Sequence, residues 1–406
     1  MNGNYFDASY GRFLTVRQEL LDERVCAFRR IMEENCLNML FVACPDEGGY
    51  RGWLTGTCKL DRFSEGGIWI TKGGPVLLVT GSEMIFEEKA TQEEAGWEFN
   101  VLTYSSKCVE HKTPYHYYEA DRLDVAQIKK ILGNNRRIGV VHMPQMRAGL
   151  YDGLMHWIEN LQIIDVTKQA DFVKACKSDT DVAQMERLAG KADRIFYGAC
   201  AILHPDMYER EAVNELRNCA YGLGAYGNDD GISTRICLRS GEINDNDILY
   251  PGKLMKEGET VNLRIHFAGD DSCYGALARS YCLGEGTAGE IRRLWRAVVA
   301  AQHAAAQLLI PGSTVKEAAN AGNKTLAEYG FESENSSMIA GIGYGIRECP
   351  KLSDDSTNWK LEENMVLFVE FTAGMKKFSV CCGDMYAVHS EGARRLNKFP
   401  QELYTV

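Results

Sequence analysis

The stretch Val261-Asn262-Leu263-Arg264-Ile265-His266-Phe267 lies past the midpoint of the chain and alternates apolar residues with polar ones. A hydrophobic period of two predicts a β-strand whose side chains point alternately to two faces of a sheet. One of those faces would carry Asn262, Arg264 and His266. We therefore expect this strand to present a polar face to a functional site.

The composition indicates an ordinary globular chain with a small-molecule partner. The chain has 406 residues, of which 45% are apolar and 25% are charged, and this length allows two domains with full cores. A formal charge of −11 disfavours nucleic acid as a partner, because phosphate binding needs clustered Lys and Arg. The first residues do not resemble a secretory signal, and no window reaches the roughly 18 apolar residues of a membrane span. We expect a cytoplasmic protein without a membrane partner.

The cysteines predict neither disulfides nor a thiolate zinc site. All 14 are scattered, and none belongs to a Cys-x-x-Cys pair. Cys381 and Cys382 are adjacent, and neighbours on a strand point to opposite faces, so at most one of them would face the site.

The pattern divides the chain into an α/β domain at 1–167 and a second domain at 168–406. In the first domain we predict a helix over Leu14 to Asn35 and strands at Leu37 to Ala43, Gly67 to Thr71, Pro75 to Val79 and Ile138 to His142. A polar segment then precedes a helix start at Ser178 to Asp181, which marks the boundary.

The second domain contains a faint internal repeat. Leu203 to Ala212 resembles Leu309 to Ala318, and each copy is a Pro-containing turn between two helical runs. Strands follow each pair of helices, at Ile232 to Arg239 and Thr260 to Phe267, and at Met338 to Ile346 and Met365 to Phe371. This order predicts a pseudo-symmetric α+β domain with helices outside and a curved sheet inside.

Four motifs carry a resemblance to the creatinase, aminopeptidase P and prolidase family over essentially the whole chain. They are Gly258-Glu259-Thr260-Val261-Asn262-Leu263, Leu277-Ala278-Arg279-Ser280, Gly341-Ile342-Gly343-Tyr344-Gly345-Ile346 and Glu362-Glu363-Asn364-Met365-Val366 through Glu370. The resemblance implies a pita-bread C-terminal domain and a smaller creatinase-type α/β N-terminal domain. In the family's metallopeptidases this frame presents two Asp, one His and two Glu to a pair of metal ions.

This chain resembles the family frame but not its metal ligands. The motifs put Arg264 and Ala276 where the two Asp stand, Tyr344 where the His stands, and Gly383, beside Asp384, where the last Glu stands; Glu370 alone is kept. One Glu cannot hold two metal ions, and an Arg guanidinium would repel them. We therefore predict no metal and no other cofactor. A register shifted by one or two residues would put Ile265 or His266 in the position of Arg264.

Creatinase is the branch of the family that works without metal, and two further segments resemble it. They are Ala276-Leu277-Ala278-Arg279-Ser280 and Lys398-Phe399-Pro400 near the C-terminus. The resemblance implies arginines that clamp a substrate carboxylate, with Arg62 and Arg347 in roughly equivalent segments. It also implies a homodimer whose site is completed across the interface. Three features depart from creatinase. Ser240 to Pro251 contains no His, Ala278 replaces a glutamate, and the late His beside the creatine pocket falls near Gly383.

These residues support a catalytic hypothesis and a structural alternative. In the first, His266 and Glu370 activate water or a substrate proton, Tyr344 donates to an oxyanion, and Arg264, Arg62, Arg347, Asp384 and Arg279 bind the substrate. In the second, Arg264 only pairs with Glu370 and neutralises two buried charges.

Three functions remain open on this basis. The favoured one is a metal-independent hydrolase of creatinase type that acts on a C–N bond of a small carboxylate-bearing amino-acid or guanidino compound. The second is an inactive pita-bread protein that binds a small ligand or peptide. An Xaa-Pro metallopeptidase is disfavoured by the lost ligands.

Overall fold

The chain forms two compact units, Met1–Lys174 and Ala175–Val406. The computed structural model describes residues 6–7, 12–13, 18–43, 49–55, 67–73, 76–81, 100–104, 128–146, 148–224, 234–241, 252–269, 273–284, 289–331, 337–375 and 378–406. Arg62, one of the predicted substrate ligands, lies outside the described residues.

The first unit is built around a sheet with strand order β6-β5-β4-β3-β7-β8. Its strands are β3 (Met39–Val42), β4 (Ile68–Thr71), β5 (Val76–Gly81), β6 (Asn100–Tyr104), β7 (Arg137–Val141) and β8 (Gln162–Asp165), and a short pair, β1 (Phe6–Asp7) with β2 (Arg12–Phe13), precedes them. The helices are α1 (Gln18–Glu34), α2 (Tyr50–Thr55), α3 (Ala148–Trp157) and α4 (Thr167–Ala175), with a 3-10 turn at Met143–Gln145. Within the described residues, which exclude 14–17 and Pro75, the predicted helix and four strands are confirmed.

Helix α4 explains why the two units divide beyond the predicted boundary at 167. The hydroxyl of Tyr50 donates to Oδ1 of Asp171 at 2.5 Å, and Ala170 is completely buried. These contacts attach most of α4 to the first unit.

The second unit is a large sheet covered by helices. The sheet runs β13-β12-β14-β15-β11-β10-β9, with β16 beside β15 and β17 beside β11. Its strands are β9 (Thr234–Ser240), β10 (Thr260–Ala268), β11 (Tyr274–Cys282), β12 (Ser337–Gly341), β13 (Glu348–Lys351), β14 (Val366–Met375), β15 (Phe378–Ala387), β16 (Arg394–Arg395) and β17 (Tyr404–Thr405). The helices are α5 (Asp179–Ile202), α6 (Glu209–Gly222), α7 (Gly289–Ala306) and α8 (Val315–Glu328), with a 3-10 turn at Asp355–Asn358.

Local capping chemistry sets the predicted start of α5. Oγ of Ser178 accepts from the backbone N–H of Asp181, and Oδ2 of Asp181 accepts from the backbone N–H of Ser178, both at 3.1 Å. This reciprocal capping box satisfies N–H groups that the first turn of a helix leaves without partners. The same order of two helices followed by strands recurs at α7 and α8, as the internal repeat predicts.

The two faces of the large sheet have opposite characters. Val261, Leu263, Ile265 and Phe267 are completely buried on one face of β10. On the same side of the sheet, Val369 and Phe371 of β14 join a core with α7 and α8, and the hydroxyl of Tyr281 donates to the carbonyl of Phe196 on α5 at 2.9 Å. The opposite face carries Asn262, Arg264 and His266, and we call it the polar face. The period-two prediction is therefore confirmed.

Helix length and hydropathy give no membrane span in the described part of the chain.

Candidate active site on the polar face of the sheet

Four residues form one row across the polar face. Arg264 on β10 pairs with Ala278 on β11, Ala278 pairs with Gly383 on β15, and Gly383 pairs with Glu370 on β14. Paired residues of antiparallel strands point to the same face. Because Ala278 and Gly383 have little or no side chain, Arg264 can reach over both of them to Glu370.

Arg264 and Glu370 form an ion pair that Thr372 completes. Nε of Arg264 lies 2.5 Å from Oε1 of Glu370, and its terminal nitrogen Nη2 donates to Oγ1 of Thr372 at 3.0 Å. The Thr372 hydroxyl then donates to the same carboxylate oxygen at 3.1 Å. Burial by itself lowers the pKa of Arg264, whereas Cys381 and Glu370 raise it, and the net direction is upward. The pairing foreseen in the structural alternative is thus present.

The position that the resemblance assigns to the last metal ligand has no room for a side chain. A Cβ added to Gly383 would lie 2.7 Å from Cζ of Phe368 and 3.0 Å from the Cβ atoms of Ala278 and Glu370. The ring of Phe368 therefore fills the space beside the row, and a carboxylate at position 383 would displace it.

His266 lies in the neighbouring row on the same face. It pairs with Ala276 on β11 and with Arg235 on β9, and its ring meets Phe368 edge-on with centroids 5.1 Å apart. Burial, and then the charges of Arg347, Arg235 and Arg264, lower the pKa of His266 to about 3. The imidazole is therefore neutral at physiological pH.

Two buried polar atoms of this face have no hydrogen-bond partner among the described residues. They are Nε2 of His266 and Oε2 of Glu370. A buried polar atom without a partner costs about 1–3 kcal/mol, and native proteins satisfy most such atoms with protein groups or ordered water. Both atoms are therefore suited to hold water or a polar group of a ligand.

The lowered pKa of His266 predicts a specific loss of stability in acid. In the unfolded chain the pKa of a His is about 6.5. The unfolded state therefore binds more protons than the folded state between about pH 6.5 and 3, and the free energy of unfolding falls as the pH falls through that window. At pH 5 the loss is on the order of 2 kcal/mol, and His266→Asn should remove it.

Urea unfolding at pH 7 and pH 5 measures this effect. His204 is exposed, so His204→Asn is the control and should keep the pH dependence of the wild type. A His266→Asn protein that loses as much stability between the two pH values as the wild type would contradict the assignment.

Tyr344 does not have the position that its predicted role requires. It is 3% exposed, and its hydroxyl donates to Oδ1 of Asp181 at 2.8 Å. The proton that an oxyanion would need is therefore directed at the first turn of α5. This corrects the prediction that Tyr344 donates to an oxyanion.

The segment that contains Tyr344 also positions Arg347. Next to Arg347, Glu348 forms an ion pair with Lys177 at 2.8 Å, and each of the two side chains is 1% exposed. Oε1 of Glu348 accepts from the backbone N–H of Gly345 at 2.7 Å. Arg347 is itself exposed and contributes to the lowered pKa of His266, so it remains a candidate to bind a substrate carboxylate.

Arg279 and Asp384 lie on the helix-covered face, so their prediction as substrate ligands is also corrected. Both side chains are 0% exposed, and the Arg279 guanidinium lies 2.7 Å from Oδ1 of Asp384. Oδ2 of Asp384 accepts from the side-chain amides of Gln302 on α7 and Gln401, each at 3.0 Å. Successive side chains of a strand point to opposite faces. Ala278 and Gly383 lie on the polar face, so the next residues, Arg279 and Asp384, point to the helix-covered face.

The adjacent cysteines separate in the same way. The backbone N–H of Cys381 donates to Oγ of Ser280 on the polar side at 2.7 Å, and burial raises the pKa of the Cys381 thiol to about 12. Sγ of Cys382 instead lies 3.3 Å from Oε1 of Gln302 on α7. Only Cys381 faces the polar side, as predicted.

Arg235, Phe368 and Thr372 belong to this site but were not among the sequence candidates. Thr372 follows Glu370 by two residues, so strand periodicity could have identified it. Arg235 lies in the predicted strand Ile232 to Arg239, but its position beside His266 depends on the register between β9 and β10.

Comparisons with known proteins identify the family. The sequence model of "Metallopeptidase family M24" matches residues 183–391, which is more than half of the chain. The chain belongs to metallopeptidase family M24. The M24 match includes β9 to β15, and therefore the whole polar face described above.

A curated relative and two solved structures are similar to this chain. The chain is 24% identical over 254 residues to "Uncharacterized hydrolase/peptidase y4tL" of Sinorhizobium fredii, covering 61% of this chain and 63% of that protein. It is similar in fold to an Xaa-Pro dipeptidase from Bacillus anthracis, with a TM-score of 0.76, 20% identity and coverage of 95% and 100% of the two chains. It is also similar in fold to a prolidase from Thermococcus sibiricus, with a TM-score of 0.78, 17% identity and coverage of 95% of this chain and 99% of that chain. The predicted pita-bread fold is confirmed.

The residues of this M24 chain do not fit the metal that the family description implies. Among the described residues, no group of three or more His, Cys, Asp and Glu side chains could hold a metal ion. Of the five ligand positions named above, Glu370 alone carries a carboxylate, and Arg264 binds it. The ligand set does not fit a metal for a physical reason. The Arg264 guanidinium pairs with the Glu370 carboxylate that a metal ion would need as a ligand.

Proposed function

We propose that this chain is a hydrolase that acts without metal on a C–N bond of a small carboxylate-bearing amino-acid or guanidino compound. The observation that carries the proposal is the pair of unpartnered buried atoms, Nε2 of His266 and Oε2 of Glu370, on the polar face of an M24 sheet. M24 membership supports the class of reaction, and the misfit of the ligand set supports a mechanism without metal.

Glu370 is suited to move the proton in such a reaction. Its Oε1 is fixed by Arg264 and Thr372, which leaves Oε2 to accept a proton from water. The water oxygen then bonds to the carbon of the scissile C–N bond. As that bond breaks, the proton passes from Oε2 to the leaving nitrogen, so atoms and charges balance. Neutral His266 orients the water or the reacting nitrogen through Nε2.

Arginines near His266 and Glu370 supply the recognition of the substrate carboxylate. A guanidinium presents several N–H donors in a planar fork that matches a carboxylate. Arg264 has 21% of its side chain exposed, and Arg347 is exposed, so both can reach a ligand.

Turnover of a small panel tests the proposal directly. We expect the EDTA-treated protein to form product from one or more of creatine, other guanidino acids, N-methyl amino acids and cyclic amidine amino acids, measured by mass spectrometry. The physical reason is that proton transfer by Glu370 needs no metal.

The same panel includes Xaa-Pro dipeptides and a parallel series with manganese. Product that forms only with manganese would contradict the metal-free mechanism and favour the Xaa-Pro metallopeptidase. Absence of product from every compound under both conditions would contradict hydrolysis.

A second function, ligand binding without turnover, is favoured by a specific observation. A His whose pKa is about 3 is a weak base at neutral pH, and Glu370 already forms an ion pair. In that case the panel would show binding without product. The expected homodimer and the cytoplasmic location remain proposals, and sedimentation velocity tests the first of them.

A further inference from the structure

The polar face is rich in cations. On the edge strand β9, Arg235 pairs with His266, Cys237 with Arg264, and Arg239 with Asn262. Arg235, Arg239 and Arg264 therefore point to one side of two neighbouring strands. Among the described residues that β9, β10, β11, β14 and β15 place on this side, the only carboxylate is Glu370.

Two of the cations near His266 have no counter-ion within the described part of the chain. Arg264 is paired with Glu370, but no ion pair of Arg235 or Arg347 involves a described residue. Both are exposed, and both contribute to the charge that acts on His266. A single unpaired cation is common at an exposed site, but two of them near one buried, unpartnered imidazole nitrogen form a site for negative charge.

We infer that the substrate carries two carboxylates, and that Arg235, together with Arg347, binds the second one beside His266. The inference rests on the proposed function and specifies its substrate class. The first carboxylate meets Arg264, on the row that contains Glu370. The second meets Arg235 on the neighbouring row, because Arg235 pairs with His266 and Arg264 lies two residues from His266 on the same strand.

A matched pair of compounds tests this inference by direct binding. Guanidinosuccinate and N-amidino-alanine differ by one carboxylate and are otherwise alike. Isothermal titration calorimetry in EDTA should give a Kd for guanidinosuccinate at least about tenfold lower than for N-amidino-alanine, because a charge-assisted hydrogen bond is among the stronger ones.

Substitution of Arg235 assigns that preference to a residue. Arg235→Gln should reduce the preference to about twofold or less and leave the Kd of N-amidino-alanine within about twofold of the wild type. Arg235→Lys keeps the charge and should keep part of the preference, which separates loss of charge from damage to the edge strand. Arg296, exposed on the helix side of the sheet, is the control, and Arg296→Gln should behave as the wild type.

Each outcome has one meaning. Equal Kd values in the wild type, no binding of either compound, or a full preference in Arg235→Gln would overturn the inference. Tight binding of guanidinosuccinate that depends on Arg235 but gives no product supports it and contradicts the proposed hydrolase. Product from compounds with one carboxylate, without any preference for two carboxylates, would contradict the inference and support the proposed hydrolase.

Discussion

Glu370→Gln should lower kcat for the substrate found in the panel by at least about 100-fold, the scale expected when a positioned acid or base is lost. The substitution keeps the shape of the side chain, and the amide oxygen can still accept from Arg264. It removes the negative charge, and an amide nitrogen in the place of Oε2 cannot accept a proton. Steady-state kinetics measures the change, and we expect kcat to fall far more than KM rises.

A double-substitution cycle separates catalysis from the support that Glu370 gives to Arg264. Glu370→Gln leaves Arg264 without its counter-ion, which should cost about 1–3 kcal/mol, less than for a fully buried pair because 21% of the Arg264 side chain is exposed. The double variant Arg264→Met with Glu370→Leu removes both charges and should recover much of that stability.

The two roles predict different activities for the double variant. If Glu370 moves the proton, kcat at saturating substrate stays lost although stability returns, and the loss of Arg264, a proposed substrate ligand, is seen separately as a higher KM. If turnover returns with stability, the ion pair is structural and the catalytic proposal is wrong. Glu363, 53% exposed and outside the polar face, provides the control, since Glu363→Gln should leave kcat unchanged.

Asp384→Asn should destabilise the second unit by about 3–5 kcal/mol, because it leaves a buried guanidinium without its counter-ion. Arg279 is 0% exposed, and it also donates to the carbonyls of Gly383 at 2.9 Å and Phe399 at 3.2 Å. The pair therefore ties the C-terminal segment to the sheet. For a unit of this size the expected drop in Tm is on the order of 10 °C, measured by calorimetry.

A surface ion pair gives the matched control. Glu186 lies 2.7 Å from Arg394, but the two side chains are 33% and 48% exposed. Solvent screens such a pair, so Glu186→Gln should change stability by less than about 1 kcal/mol. If Asp384→Asn kept its Tm and raised KM instead, Asp384 would be a substrate ligand after all.

Strand periodicity accounts for most of what could be read correctly from the sequence. The alternation at 261–267 identifies both the strand and its polar face, because a period of two is a property of any extended chain. Counting by two from Ala278 and Gly383 could also have excluded Arg279 and Asp384 from that face. Arg279 and Asp384 were predicted as substrate ligands because they adjoin the family motifs in sequence. That criterion was wrong, since adjacent residues of a strand point to opposite faces.

Tyr344 and Arg235 could not be placed in this way. Tyr344 lies beyond the end of β12, where no periodicity fixes the direction of a side chain, and its hydroxyl contacts Asp181, which is 163 residues away. Arg235 lies on a correctly predicted strand, but its neighbour depends on the register that pairs it with His266. Both outcomes follow from long-range packing.

The sequence by itself determined the strands, the helix start at Ser178, the family frame and the loss of the carboxylates that a metal pair needs. Those features depend on local conformation and on residue identity. The tertiary structure alone decided that Arg264 reaches Glu370 over Ala278 and Gly383, that Phe368 fills the space at position 383, and that His266 is buried among arginines. Strand register and burial set these contacts, because they bring together side chains that are distant along the chain and remove them from water.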